Sequence, residues 1–449
     1  MIMMSQKLEK VVWILVCVLL SFSSGHKNVA CEELGIRKVS TCSCSSYSRD
    51  RIMVNCQYSS LKHLPQLLQK YNVFPISAVD LSYNAFQTYQ EFASDVELIN
   101  LSGNMIELLP ANAIKSESLA LLDVSFNHLT SLEKSFSQWQ RLVTLIATGN
   151  SIESVLDLGY PATLRHLYLD ENPIQNFQVY IPALRKLRIS LAAPGSQAMA
   201  TISQISTAGI PSLEVLQVTD SPLALDPFSR TSLAQLTQLK ELHLTRCDLS
   251  AFGPESENFL DGLSETLEKL HFDGNRLRVI PSAALKCLKY LEELNLSGND
   301  ITKIQHGEFE GFPHLRSLDI SYNVIDHVDR YTFTALEGLE VLNLSGNKIK
   351  EIPEGTFSHL HHLHKLDLTD NQLQHLHSHS FEPYALQDNR ITVNIERNPW
   401  VCDCHFKWVV DHSSWDSKAN TIYWDEEEDN IGPFYDALDG EYIPPYCYP

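Results

Sequence analysis

The sequence predicts an α/β solenoid, a horseshoe of coils with one short strand per coil set side by side in a parallel sheet on the concave face. Three observations carry that prediction. An eleven-residue string recurs at a fixed step of 24 residues, as LEELNLSGNDI from Leu291, LRSLDISYNVI from Leu315, LEVLNLSGNKI from Leu339 and LHKLDLTDNQL from Leu363. Apolar residues hold positions 1, 4, 6 and 11 of the string, so its centre alternates as a half-buried strand does. Asn holds position 9; its carboxamide donates and accepts at once, and can satisfy the backbone of the tight bend after the strand. A unit this small cannot bury its own apolar face and must stack on its neighbours.

The position-9 residues run from Asn84 to Asn398 and give about 14 repeats, with Asn in all but three, Ala192, Ser221 and Cys247. The expected organisation is a signal peptide over 1–25, a cysteine-rich N-terminal cap over 26–72, repeats over 73–396, and a C-terminal cap with an acidic tail over 397–449. The signal reading rests on Lys7 and Lys10 ahead of the apolar run Val11 to Leu20, with small residues after it. That run is too short for a bilayer, and no later segment reads as a span. An exported chain is secreted and extracellular, where disulfides persist. Lys+Arg total 34 against 55 Asp+Glu, a net charge of -21, which argues against a nucleic-acid partner. The acidity is concentrated after Cys402, where eleven acidic residues face Lys407 and Lys418, a net of -9.

Cys31, Cys42, Cys44 and Cys56 precede the first full repeat, where an open sheet edge needs a lid. Four half-cystines admit three pairings. The early repeats are short, 20 to 23 residues between position-9 residues. The middle ones are longer, and PGSQAMATISQISTAGIP and ESENFLDGL each suggest a short helix there. Phe309, Phe333, Phe357 and Phe381 share one coil position and should stack as an internal aromatic spine. The repeats close with NPWVCDCHFKWVVDHSSW. Cys247 and Cys287 sit on different coils and read as unpaired thiols.

The recurring string, with Asn in register, is similar to the leucine-rich repeat signature. The flanking cysteines, with Trp400, Cys402, Cys404, Trp408 and Trp415, resemble the caps of its extracellular members, among them Slit-type domains, small leucine-rich proteoglycans and Toll-type ectodomains. That resemblance implies the bonds Cys31–Cys44 and Cys42–Cys56. If the family pairing of second with fourth cap cysteine holds, it also implies Cys404–Cys447 and leaves Cys402 over, either buried or linking two chains as a dimer.

Position 5 lies between two buried positions, so its side chain is expected to leave the concave face. Asn or Asp fills it at both ends of the chain, whereas the middle carries Tyr168, Arg188, Gln217, His243 and His271, with Arg165, Arg185 and Lys186 alongside. Tyr, Arg and His are the composition that anchors protein ligands, and these eight residues are the candidate docking surface. The competing reading is drift in irregular coils. Asn100, Asn295 and Asn343 open N-x-S sequons at position 5, where glycans would crowd a ligand toward the middle. The seven histidines between His359 and His379, and the coil-sharing His327, Glu351 and His375, lack ligand spacing for a metal. The acidic run Asp425–Asp429 lacks a calcium loop's alternation and turn glycine. No nucleophile–base pair, phosphate loop or cofactor motif is present in the sequence. The function expected is capture of an extracellular protein or receptor, without catalysis and without a cofactor. The alternatives are a structural extracellular-matrix component and a soluble decoy of a membrane receptor.

Overall fold

The computed structural model describes residues 29–30, 42–48, 51–63, 76–88, 96–109, 116–132, 140–195, 199–225, 227–250, 252, 258–381, 391–401 and 422–423. The chain divides into two units, residues 1–150 and 151–449, and each is a stack of coils around a parallel sheet.

In the first unit, β1 (Val29–Ala30), β2 (Ser43–Ser48) and β3 (Arg51–Asn55) pair antiparallel. From β3 onward the pairing is parallel, through β4 (Ile76–Asp80), β5 (Leu98–Asn100), β6 (Leu121–Asp123) and β7 (Thr144–Ile146). Thus β2 covers the edge of β3 that would otherwise offer unpaired backbone groups. Cys42 and Cys56 are bonded to each other, and Cys44 is also in a disulfide. Cys31, Cys402, Cys404 and Cys447 lie outside the described residues. So do the leader, Trp408, Trp415 and the Asp425–Asp429 run.

The second unit carries β9 (His166–Ile174), β11 (Lys186–Leu191), β12 (Val215–Thr219), β13 (Glu241–Thr245), β14 (Lys269–His271) and β15 (Glu293–Asn295), then β16 (Ser317–Asp319), β17 (Val341–Asn343), β18 (Lys365–Asp367) and β19 (Thr392–Asn394), all parallel. A separate two-stranded sheet joins β8 (Ser154–Val155) to β10 (Asn176–Phe177). The pair β20 (Ile422–Tyr423) continues the main sheet beyond β19. Beside that end, Trp400 donates its indole N–H to the Ile395 carbonyl at 3.0 Å.

The position-9 asparagines clamp coil to coil. Asn299 shows the arrangement: Nδ2 donates to its own coil at Leu296 O (3.0 Å) and to Phe272 O of the preceding coil (2.9 Å), while Oδ1 accepts the Leu277 N–H (3.0 Å). Asn104, Asn127, Asn150, Asn275, Asn323, Asn347, Asn371 and Asn398 repeat it. The residue before the asparagine is left-handed. Gly103, Gly149, Gly274, Gly298 and Gly346 take φ of +63 to +66° there, which explains the recurrent Gly-Asn pair.

Between the clamps the core is aliphatic. Leu291, Leu294, Leu296 and Ile301 of one coil are all 0% exposed. Each such side chain contributes about 1.5–3 kcal/mol before chain entropy is subtracted. The phenylalanine spine forms as expected, with ring centroids at 6.1, 6.1 and 5.5 Å from Phe309 through Phe333 and Phe357 to Phe381.

The two helices expected in the middle coils need correction. In PGSQAMATISQISTAGIP the described part holds two 3-10 turns, Ile202–Gln204 and Thr207–Gly209, with Ile205 bridging to Phe177. Gln204 is used sideways: Oε1 accepts the Thr201 N–H at 2.7 Å, and Nε2 donates to Gln175 O (2.6 Å) and Ala192 O (3.0 Å). Contacts to the preceding coil outweigh local helical preference. In ESENFLDGL, residues 255–257 lie outside the described set, and a turn and the 3-10 turn Asp261–Leu263 follow. Instead an unexpected helix, α1 (Pro227–Ala234), starts at a proline, the residue best suited to a first helical position. A single turn, α2 (Ser282–Leu285), occurs further on.

The clamp yields a stability prediction. Asn299→Ala strips the partners from buried carbonyl and amide groups and should cost about 3 kcal/mol, since each such group left unmade costs ~1–3 kcal/mol. Asn295→Ala, on the half-exposed sheet face, should cost about a third as much. Urea unfolding followed by tryptophan fluorescence compares the two; equal losses would show that position 9 is not the clamp.

Candidate functional site

The strand register places the position-5 residues of the second unit in one row. Cα partners run Tyr168, Arg188, Gln217, His243, His271, Asn295, Asp319, Asn343, Asp367 and Asn394. Two residues earlier a parallel row runs His166, Lys186, Val215, Glu241, Lys269 and Glu293 on the same face.

The Asn and Asp members of the row have a backbone duty. Oδ1 of Asn295, Asp319, Asn343 and Asp367 accepts the N–H two residues on, at 2.9–3.1 Å. This turns the chain out of the strand at once, and each of these strands is three residues long. In the first unit position 5 makes the same bond but is buried: Asp80 and Asn100 are 2% and 7% exposed, with Oδ1 accepting the N–H of Ser82 and Ser102. The expectation that every position-5 side chain leaves the face is corrected there. Beside them Met53, Ala78, Leu98 and Leu121 form a buried apolar strip.

The five residues from Tyr168 to His271 lack this duty. Four of their strands, β9, β11, β12 and β13, run five to nine residues, so the chain stays extended past the point where an Asx turn would end it. Their side chains are partly exposed on the outer face of the sheet, His243 and His271 the less so at 17% and 15%. The structure brings six of the eight candidates into side-chain contacts there. Lys186 Nζ lies 5.8 Å from the centre of the Tyr168 ring, a cation over a π face. Arg188 reaches back to the buried Asp170 carboxylate at 3.0 Å, and its Nε is buried without a hydrogen-bond partner. Arg185 pairs with Glu214. His243 and His271 stack at 4.1 Å with 14° between their planes. Gln217 shares the row between Arg188 and His243. Arg165 forms no ion pair among the described residues. Two of the four cations of the strip, Arg185 and Arg188, are thus paired with carboxylates.

Acidic residues thread the histidine pair, a feature that sequence reading missed although the spacing of Glu241, Lys269 and Glu293 contained it. Glu241 Oε2 stands 3.7 Å from His243 Nε2, and Lys269 Nζ 2.9 Å from Oε1; between them they hold the Glu241 carboxyl down at about 2. At 3.7 Å the imidazole makes no hydrogen bond, so the Lys269 contact is the stronger. His271 Nε2 is 3.4 Å from Glu293 Oε1, yet burial, then His243, keeps its pKa below the ordinary value. At the other end burial and the cations Lys186, Arg165 and Arg185 depress His166 to about 4. Burial raises the Tyr168 phenol and lowers the Lys186 ammonium.

Elsewhere, Asn343 Nδ2 donates to Asp319 Oδ2 at 3.1 Å, so that sequon's acceptor nitrogen is engaged. Cys247 replaces a clamp asparagine: its thiol lies 3.4 Å from Val218 O and 3.5 Å from Thr245 O, and burial pushes its pKa up to about 12. Cys247 and Cys287 are unpaired. Among the described residues no three His, Cys, Asp or Glu side chains gather to hold a metal, and no helix is long and apolar enough to cross a membrane.

Two groups here set an acid profile. The neutral form of His166 is favoured in the folded chain. Its contribution is full above about pH 6.5 and is lost as pH falls toward 4. The ionised Glu241 contributes fully above about pH 4.5 and loses its effect as pH falls toward 2. A proton NMR titration should place the His166 midpoint near 4. A midpoint near 6.5 would mean the strip is wetter and less cationic than described.

The leucine rich repeat family matches residues 265–325, 313–373 and 337–388. Tsukushi of Gallus gallus is 27% identical over 249 residues, 55% of this chain, and the match spans 62% of Tsukushi's own length. A solved leucine-rich repeat protein of Leptospira interrogans superposes with a TM-score of 0.54 at 22% identity, over 83% of this chain and 94% of that one. The matched repeats are those in which the asparagine clamp and the phenylalanine spine were traced above. Register, clamp and these likenesses agree: the chain has the leucine-rich repeat fold, and its residues 265–388 match that family's model.

Proposed function

We propose that the protein works outside the cell by holding another protein against the outer face of the sheet between β9 and β14. The supporting observation is the change of duty along the position-5 row. Where Asn and Asp serve the turn, the face is built for the chain's own backbone. Where Tyr168, Arg188, Gln217 and His243 replace them the strands lengthen, and these side chains, with His271 on the short β14, are left for a partner. Tyr and Arg head the residues that dominate interface energetics. The Arg185–Glu214 and Arg188–Asp170 pairs neutralise two of the four cations of the strip, which weakens it as a site for a polyanion such as a glycosaminoglycan. An extracellular setting draws support from the Cys42–Cys56 bond, from the leader-like N-terminus and from the likeness to Tsukushi.

The reading is tested by capture of partners from extracellular fluid on the tagged chain. Tyr168→Ala and His271→Ala should each lower recovery of the bound protein at least tenfold, about the effect of removing an interface anchor. Lys365→Ala, exposed on β18, should change recovery less than twofold. Equal losses at all three would remove the strip from consideration. Recovery of the chain chiefly with insoluble matrix would instead favour the structural alternative.

The sequons give a further expectation. Treating the secreted protein with a glycosidase should release glycan from Asn295 in preference to Asn100, whose side chain is buried, and Asn343, whose nitrogen is bonded to Asp319. Site-resolved mass spectrometry reads the order, and full occupancy of Asn100 would contradict it.

A further inference from the structure

A cleft of about 400 Å³ opens in the second unit, away from the sheet face. Leu156, Asp157 and Tyr160 line it from the segment after β8, Gln178 and Tyr180 from the segment after β10, and Ser206 from between the two 3-10 turns. None of its lining residues belongs to β9 or β11.

The two tyrosines are well exposed, at 70% and 58% for Tyr160 and Tyr180. Their rings meet edge to face, with centroids 6.2 Å apart and 62° between planes. Each stands four residues before the first leucine of its repeat, Leu164 and Leu184. In the next coil that place is Gly209, where a Cβ would stand 1.7 Å from the Val179 carbonyl oxygen. No side chain can continue the row, so it ends with two rings.

The turn that presents Tyr160 is strained. Gly159 and Tyr160 are both left-handed, at φ +75° and +56°, a region that a bulky side chain rarely occupies. Asp157 Oδ1 holds the turn by accepting the Gly159 N–H at 2.8 Å. A ring 70% exposed recovers little from packing in return. Strain of this kind persists where the presented group is used.

The charge of the cleft says what would use it. Its lining contains one carboxylate, Asp157, and no Lys, Arg or His. Two π faces, a carboxylate and the neutral Gln178 and Ser206 attract a cation that also has apolar or planar surface. We propose that this cleft receives the guanidinium or ammonium head of an arginine or lysine side chain presented by a protein partner. It is a second contact point, separate from the sheet face.

Saturation-transfer NMR on the full chain tests it with N-acetyl-arginine amide, N-acetyl-lysine amide, the uncharged isostere N-acetyl-citrulline amide, and methyl glucoside. The two cationic probes should give saturable transfer at about millimolar concentration, and citrulline should bind at least about fivefold more weakly. Asp157→Asn keeps an oxygen for the Gly159 N–H, so the turn survives, and it should weaken arginine amide about fivefold. Tyr160→Phe should change binding less than twofold, Tyr160→Ala should abolish it, and Tyr168→Ala on the sheet face should leave it unchanged. Equal binding of citrulline, indifference to Asp157→Asn in a protein with unchanged melting, saturation by methyl glucoside alone, or no saturable transfer from any probe would each overturn the proposal.

Discussion

In all but three of its coils, one asparagine carboxamide holds this protein together. A position-9 asparagine bonds backbone groups of its own turn and of the coil before it, in a place closed to water. Aliphatic burial supplies most of the favourable free energy, but it is non-directional and would tolerate sliding. The clamp is directional. It sets which carbonyl faces which amide in the coils that carry it, while the parallel strand pairing puts Tyr168, Arg188, Gln217, His243 and His271 in one line. In a repeat stack each coil meets only its neighbours, so this local bond is also the one that couples the coils.

The clamp and the site vary together. The three coils that lack asparagine, with Ala192, Ser221 and Cys247, fall within the stretch where position 5 abandons Asn and Asp. Substitutes keep the backbone satisfied. Gln204 bonds the Ala192 carbonyl, Ser221 Oγ donates to Thr219 O and accepts the Leu191 N–H, and the Cys247 thiol turns to Val218 O and Thr245 O. Of these only Gln204 comes from the added length of chain; Ser221 and Cys247 act from position 9 itself. The regular coils need the short Asx turn and leave position 5 no freedom. The irregular ones relax that requirement, and larger side chains take the sheet face.

Much of this was legible in the sequence. The period, the apolar alternation and the asparagines fix the coil, and the same register predicts both the position-5 row and the phenylalanine stack from Phe309 to Phe381. The rest was hidden for physical reasons. A helix was expected across the Pro194–Pro211 stretch, but Gln204 and Ile205 bond sideways to the preceding coil, an outcome that local preference cannot show. The burial of Asp80 and Asn100 goes with a first-unit sheet face on which Met53, Ala78, Leu98 and Leu121 are buried too, which the repeat pattern does not announce. The Arg185–Glu214 and Lys269–Glu241 pairs join residues some 28 positions apart, and reading Arg165, Arg185, Lys186 and Arg188 as a basic group overlooked the acids one coil on. The cleft at Tyr160 and Tyr180 depends on a left-handed turn that composition does not announce.

The central claim is that the asparagine bond couples each coil to the one before it, and hydrogen exchange read residue by residue tests it most directly. Asn323 bonds Leu296 O and the Ile301 N–H of the preceding coil and Ile320 O of its own. In Asn323→Ala, protection should fall across 296–301 and 320–325 and persist at β13 and β14. Protection lost uniformly through the second unit, or retained at Ile301, would contradict a clamp that acts between neighbours.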